Sequence, residues 1–249
     1  MSLARPVEHR TCRVCGSPRL FPYIDFGLQP LANALRAPDV PLSAEYRAPL
    51  VVLACPQCRL SQLSCVVPPS LLYAGYTFRA GVSAPWRAHC AALAAEYAKP
   101  NALCVDIASN DGTTVRAFAA HGANAWGVEP AAPPDSDYPL RPQWWSAGFV
   151  RDSDWSGMID VLTAQNVLGH VDDVHDFMAG IALALAEHGT ALIEVPYLGA
   201  MFDSLTFDLI YHEHLSYWSV TALKTLCDAH SLVLRDIQMQ PTHGGSLRA

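Results

Sequence analysis

The densest run of titratable side chains is DLIYHEHLSYWS, residues 208–219, in which Tyr211, His212, Glu213 and His214 follow one another. A histidine beside a carboxylate can act as a general base near neutral pH, and a phenol can hydrogen-bond an oxygen on which negative charge develops. The residues alone leave three readings open: a catalytic set, a solvated polar helix start, or a metal pair. Zinc suits the tandem poorly, because neighbouring positions on a helix point away from one another. Four cysteines form a second set. CRVC supplies Cys12 and Cys15, and CPQC supplies Cys55 and Cys58. Four thiolates delivered as two close pairs suit tetrahedral zinc. Reduced, buried cysteines are the plain alternative, and a redox pair would need a strand-helix context that neither motif has. Residues 10–65 are too few to build much core, so a metal there would be structural and would contribute to folding. Cys65, Cys90, Cys104 and Cys227 read as small core residues.

The third set is a turn. Residues 103–112, LCVDIASNDG, run from an apolar stretch through an acid and small residues into a helical pattern over 113–120. That pattern is a buried parallel strand feeding a tight turn and a helix, where α/β folds hold nucleotide-like cofactors. Dinucleotide-binding turns carry three glycines; here Asp106, Ala108, Asn110 and Gly112 alternate instead. Asn tolerates a left-handed backbone better than other non-glycine residues, so Asn110 can occupy the middle of the turn. A sharp connection with no ligand would look the same.

The elements that must position these sets follow from pattern. A helix over 83–98, with Ser83 as N-cap and Pro85 in its first turn, links the cysteine module to the central strand. The next strand, 123–129, ends in Glu129, about twenty residues past the turn, where such folds bond ribose hydroxyls; an exposed strand-end carboxylate is the alternative. Residues 132–142 are broken by proline. A strand over 159–164, then Gln165 and Asn166, precedes a helix holding 173–186 and a strand over 190–195. Residues 231–240 and 244–249 read as a hairpin-like final pair joined by PTHGG. FGLQPLANAL, 26–35, reads as a loop, and residues 68–82 bring Tyr73, Tyr76 and Phe78 close together in sequence. Parallel strands alternating with helices, closed by an antiparallel tail, make a Rossmann-like α/β sheet of seven strands with a small N-terminal module. The expected division is 1–68, a zinc-binding module; 69–99, linker and helix; and 100–249, the main domain.

Composition narrows the function. The chain has 249 residues, 51% hydrophobic and 16% charged, enough for one substantial core plus a smaller module. A net charge of −7 with 16 scattered basic residues argues against a nucleic-acid partner. No apolar run reaches the length of a membrane span, and MSLARPVEHR lacks the apolar core of a signal peptide, so no membrane partner and a cytoplasmic location are expected.

The alternating spacing of residues 106–112 resembles that of methyltransferases that bind S-adenosylmethionine. The chain more widely resembles the C-methyltransferases of deoxysugar biosynthesis, which methylate C3 of nucleotide-linked 4-keto-6-deoxyhexoses. CRVCGS with FGLQPLAN, ACPQCRLSQL, GVSAPWRAH, DIASNDGTT, GVEPA, AQNVLGHVDD, EVPY, FDLIYHEHLSYWS and HGGSLR carry the likeness across nearly the whole chain. The resemblance implies a class I methyltransferase sheet with a zinc module. It also implies S-adenosylmethionine on Asp106, Ala108, Asn110, Asp111, Gly112, Glu129 and Asn166, and a reacting sugar surrounded by Tyr211, Glu213, His214 and Tyr76. Two departures stand out. Ala108 replaces a glycine usual in the family, which crowds the turn. The residues also stop at HGGSLRA, before a sugar-holding C-terminal domain, so either the sequence is a portion or the substrate is held differently, for example as a β-ketoacyl group on a carrier protein. A zinc-ribbon binding module with a vestigial methyltransferase fold is the non-enzyme alternative.

Overall fold

The computed structural model describes residues 6–73 and 78–249. In chain order these fold into β1 (Phe21–Pro30), β2 (Arg47–Ala54), β3 (Ser61–Leu63), α1 (Ala84–Tyr97), β4 (Leu103–Ile107), α2 (Thr113–Ala120), β5 (Asn124–Val128), β6 (Leu140–Arg141), α3 (Ala147–Arg151), β7 (Ile159–Gln165), α4 (Val174–Ala184), β8 (Leu185–Pro196), α5 (Leu198–Ser204), β9 (Ser216–Tyr217), α6 (Val220–Ala229), β10 (Gln238–Gln240) and β11 (Ser246–Arg248).

The apolar run of β4 and its neighbours is buried on both faces, which is why these strands read as continuous rather than alternating hydrophobics. Seven strands make one sheet in the order β10-β11-β8-β7-β4-β5-β6. Strands β4 to β8 run parallel, and β11 inserts antiparallel between β8 and β10. The chain leaves β4 toward β5 and β6, then returns to the other side of β4 as β7. That reversal splays the strand-to-helix loops of β4 and β7 apart and opens a crevice at their C-terminal ends. Val105, Ile107, Leu162 and Ile193 fill the sheet interior, and α4 covers it with Phe177, Met178 and Ile181. Phe118 and Val115 of α2 close the opposite face.

A second sheet of four strands, β9-β3-β2-β1, holds the N-terminal part. Its fourth strand, β9, comes from residues 216–217, so this sheet takes strands from both sides of the expected division of the chain.

The structure refines several expectations. The helices over 84–97 and 113–120 and the strand of the central turn lie where the pattern places them. Residues 26–30 are not a loop but the second half of β1. Their Pro and Gly are tolerated because β1 is an edge strand with a register shift between Asp25 and Leu28, and Gly27 takes a left-handed φ of 69° there. Of residues 231–240, only Gln238–Gln240 form strand, because the partner β11 has just three residues to pair with. Strand β8 begins earlier than expected, at Leu185, with a register shift before Thr190. The YHEH run starts no solvated helix: a 3-10 turn at Phe207–Leu209 leads into a tight turn and β9, and His212 and Glu213 are only 2% and 3% exposed. Among the described residues no helix is long and apolar enough to cross a membrane.

Candidate functional site

The turn after β4 winds by alternating handedness. Ala108, Asn110 and Gly112 take left-handed φ values of 56°, 51° and 79°. Asn and Gly enter that region cheaply, whereas Ala pays about 1–2 kcal/mol. Gly112 also has a steric reason: a Cβ there would lie 2.2 Å from the ring of Tyr138. The Tyr138 hydroxyl donates to the Asn110 carbonyl at 2.7 Å, bracing the turn from below. Glu129, just past β5, accepts from the Asn110 N–H at 3.0 Å and, through its other oxygen, from the Ala131 N–H at 2.9 Å. Each of those oxygens retains accepting capacity for a hydroxyl group.

Asp106 takes a different place. Its carboxyl is buried against β7, accepting from the Thr163 hydroxyl at 2.5 Å, and burial raises its pKa to about 7. The side chains of Asn110 and Asp111 turn toward the chain before α1. Asn110 accepts from the Ala80 N–H and donates to the Phe78 carbonyl, and Asp111 accepts from the Gly81 N–H at 2.8 Å. Residues 78–82 are thus strapped over the turn. Across the crevice, Asn166 follows β7 with φ 55°, and both polar atoms of its amide are buried without a partner among the described residues, as is the Gln165 side-chain carbonyl. Buried amides are rarely left unpaired, so these atoms fit a polar ligand at the switch point.

The cysteines converge as their spacing predicts: the four sulfur atoms of Cys12, Cys15, Cys55 and Cys58 lie within 4.8 Å of one another. The two knuckles share one local design. Gly16 and Arg59, each just past its pair, adopt left-handed φ values of 67° and 66° and donate back to the carbonyls of Cys12 and Cys55. The Cys12 and Cys58 sulfur atoms lie 3.4 Å apart, and the hydrogen bond between them favours a single thiolate in the pair, lowering the Cys12 thiol as it raises that of Cys58. Soft thiolates at tetrahedral spacing fit zinc.

The YHEH loop separates its members. His214 Nδ1 lies 2.8 Å from the Leu209 carbonyl, and its Nε2 lies 2.8 Å from the Tyr211 hydroxyl. A carbonyl can only accept, so Nδ1 carries a proton, and in the neutral imidazole Nε2 then presents its lone pair to Tyr211. His212 points the other way, donating through Nε2 to the Ala48 carbonyl of β2 at 3.2 Å, and burial lowers its pKa. Glu213 is likewise turned into the N-terminal part: it accepts from the Asn33 side-chain amide at 2.6 Å, and burial raises its pKa. Tyr76 lies outside the described residues.

Sequence reasoning missed two neighbours. His170, in the 3-10 turn Leu168–His170 after β7, sets its ring 4.8 Å from that of His214 at 81°. Burial, with His214 beside it, pulls its pKa down to about 3, so it stays neutral. The Tyr73 hydroxyl lies 3.3 Å from its Nδ1. Its position in the loop after a strand at the switch point was the available signal.

Comparison with known proteins adds the family context. A family described as a methyltransferase domain matches residues 78–236, more than half of the chain, and a zinc binding domain family matches residues 12–73. The chain is 29% identical over 256 residues to the C-methyltransferase NovU of Streptomyces niveus, covering 98% of this chain and 60% of NovU. It therefore spans less than two thirds of that relative. Among solved structures, an S-adenosylmethionine-dependent methyltransferase from Archaeoglobus fulgidus superposes with a TM-score of 0.51 at 13% identity, over 62% of this chain and 72% of the other. The YcgJ protein of Bacillus subtilis gives 0.50 at 17%, over 61% and 72%. Identities this low speak for the fold alone.

Proposed function

The chain belongs to the methyltransferase-domain family, and from that premise we propose an S-adenosylmethionine-dependent C-methyltransferase that methylates the carbon beside a ketone through an enolate. Its substrate on this reading is a nucleotide-linked 4-keto-6-deoxy sugar, methylated at C3. The observation that carries the reading is the His214–Tyr211 pair: an imidazole fixed in the tautomer that leaves Nε2 basic, with a phenol at 2.8 Å. The similarity to a protein named as a C-methyltransferase supports methylation at carbon.

Bound S-adenosylmethionine supplies a methyl group on a sulfonium, ready for in-line attack by carbon. Glu129 would accept the ribose hydroxyls, Asn166 would meet the adenine, and the strap held by Asn110 and Asp111 would cover the turn. Ala108 and Gly112 shape the backbone there, and Asp106 supports it from beneath. The Tyr211 hydroxyl would first turn its hydrogen from Nε2 to the substrate's carbonyl oxygen, and the lone pair so released on His214 Nε2 would take the proton from the adjacent carbon, leaving the enolate oxygen hydrogen-bonded by the phenol. A neutral His170 alongside adds no positive charge to weaken the base. Positioning supplies most of the rate, since no covalent intermediate is needed. Cys12, Cys15, Cys55 and Cys58 hold a structural zinc in a module spanning residues 1–68, joined by 69–99 to a catalytic domain over 100–249. A cytoplasmic setting suits eight free thiols.

The test is incubation with methyl-labelled cofactor against a panel of 4-keto nucleotide sugars and β-ketoacyl carrier proteins. Label should appear on a sugar carbon; label on a ketoacyl group would change the substrate, and label on neither would remove both substrate readings.

A further inference from the structure

The YHEH loop is framed on one side by the turn after β7, where the Leu215 N–H donates to the Gly169 carbonyl at 2.7 Å, and on the other by the N-terminal part. Strand β9 pairs with β3 (Ser216 with Gln62, Tyr217 with Ser61), and the Leu63 N–H donates to the Leu215 carbonyl at 2.9 Å. The Arg13 guanidinium reaches the same carbonyl at 3.4 Å, and His212 donates to Ala48. These are bonds to backbone groups, and most belong to strands that pair in any case. One contact is of another kind. The exposed Asn33 sends its amide Nδ2 2.6 Å to Oε1 of Glu213, a carboxylate only 3% exposed. A buried carboxylate is costly to leave unpaired, so this bond decides where residue 213 sits. Glu213 is joined through the backbone to His214, whose ring packs edge-on against that of His170. The anchor beneath Asn33 is firm: Leu31 is buried with Ala48 and Val67.

We propose that Asn33 is a positioning residue for the His214 base, acting through Glu213, the neighbour of His214 in the chain. The inference rests on reading His214 as the base. Asn33 touches none of the reacting groups itself. It holds the residue beside the base, and it does so from a segment 180 positions away in the chain.

Because Asn33 is exposed, its substitution removes a hydrogen bond without opening a cavity. The variants are Asn33→Ala and Asn33→Asp, the latter equal in shape but turning a donor into an acceptor that faces Glu213. Two readouts apply to the full chain. In protein carrying nitrogen-15 histidine, the His214 signals report its tautomer: a single Nδ1–H form in the unmodified protein, a mixture in both variants. In deuterated water, exchange of the α-hydrogen of a thymidine diphosphate-linked 4-keto-6-deoxyglucose should slow on the order of 10²-fold in its maximal rate, the cost of a small misplacement of a catalytic group. Its KM, the zinc content and cofactor affinity should stay unchanged. His214 signals and exchange like those of the unmodified protein would overturn the proposal. So would a rise in KM alone, which would make Asn33 a substrate contact, or a parallel loss of zinc, which would make it a folding residue. If the unmodified protein exchanges nothing, the enolate reading fails while the tautomer signals still decide the role of Asn33.

Discussion

The cofactor turn and the YHEH loop are built on opposite plans. The turn is held by its own neighbours in sequence: Glu129 bonds Asn110 across 19 positions, Tyr138 across 28, and the strap meets Asp111 across 30. The loop fixes the His214 ring locally, on the Leu209 carbonyl five positions back, but its other members are held from afar, by Asn33 across 180 positions, Ala48 across 164 and Arg13 across 202. A turn of the first kind keeps its shape as long as one sheet folds. A loop of the second kind has its working geometry only when two sheets have formed and met. Binding of cofactor and removal of a proton should therefore be separable by mutation and by metal.

The largest effect should come from zinc. Structural zinc binding is worth on the order of 10 kcal/mol, and that free energy is also folding free energy for a small module. Chelation, or Cys12→Ser, should abolish α-hydrogen exchange while calorimetry still finds cofactor bound; cofactor affinity lost in step with exchange would erase the contrast between the two regions. Next comes His214→Ala, expected to cost methyl transfer about 10²–10⁴-fold with cofactor affinity barely moved, and Tyr211→Phe should cost less. Full exchange in His214→Ala would place the base elsewhere. On the turn side, Glu129→Ala should weaken cofactor binding by about 1–3 kcal/mol, because two N–H groups lose a charged partner as well as the ligand contact. Unchanged affinity would mean that Glu129 only braces the turn. The smallest effect is a gain: Ala108→Gly relieves a left-handed alanine at the cost of a freer unfolded chain, and should raise stability by about 0.5–1 kcal/mol in a denaturant titration. A loss of stability there would show that the alanine methyl packs well enough to outweigh its strain.

What could be read in advance follows the same division. The strand, turn and helix from Leu103 to Ala120 were legible almost to the residue, because an apolar run, an asparagine that tolerates a left-handed backbone and a helical pattern are all local signals. The four cysteines were legible because each C-x-x-C carries its own turn. Strand β1 was not, since an edge strand accepts the Pro and Gly that elsewhere announce a loop. The roles inside YHEH were not either. In a tight turn adjacent side chains diverge, so His212 and Glu213 face the N-terminal sheet while His214 faces His170, and nothing in four consecutive letters says which goes where. The partnership of Asn33 with Glu213 leaves no periodic trace at all, and only folding brings the two together.

The pairing of β3 with β9 also bears on recombination. A crossover placed between residues 73 and 84, where the chain looks most divisible, would join the knuckles of one homologue to the loop of another. The graft would then have to reproduce a strand pair, an amide-carboxylate contact and a histidine-carbonyl contact between sequences never selected together. The exchangeable cassette is discontinuous: residues 12–66 travel with residues 207–219, and a chimera that moves both should keep His214 in place while one that moves either alone should not.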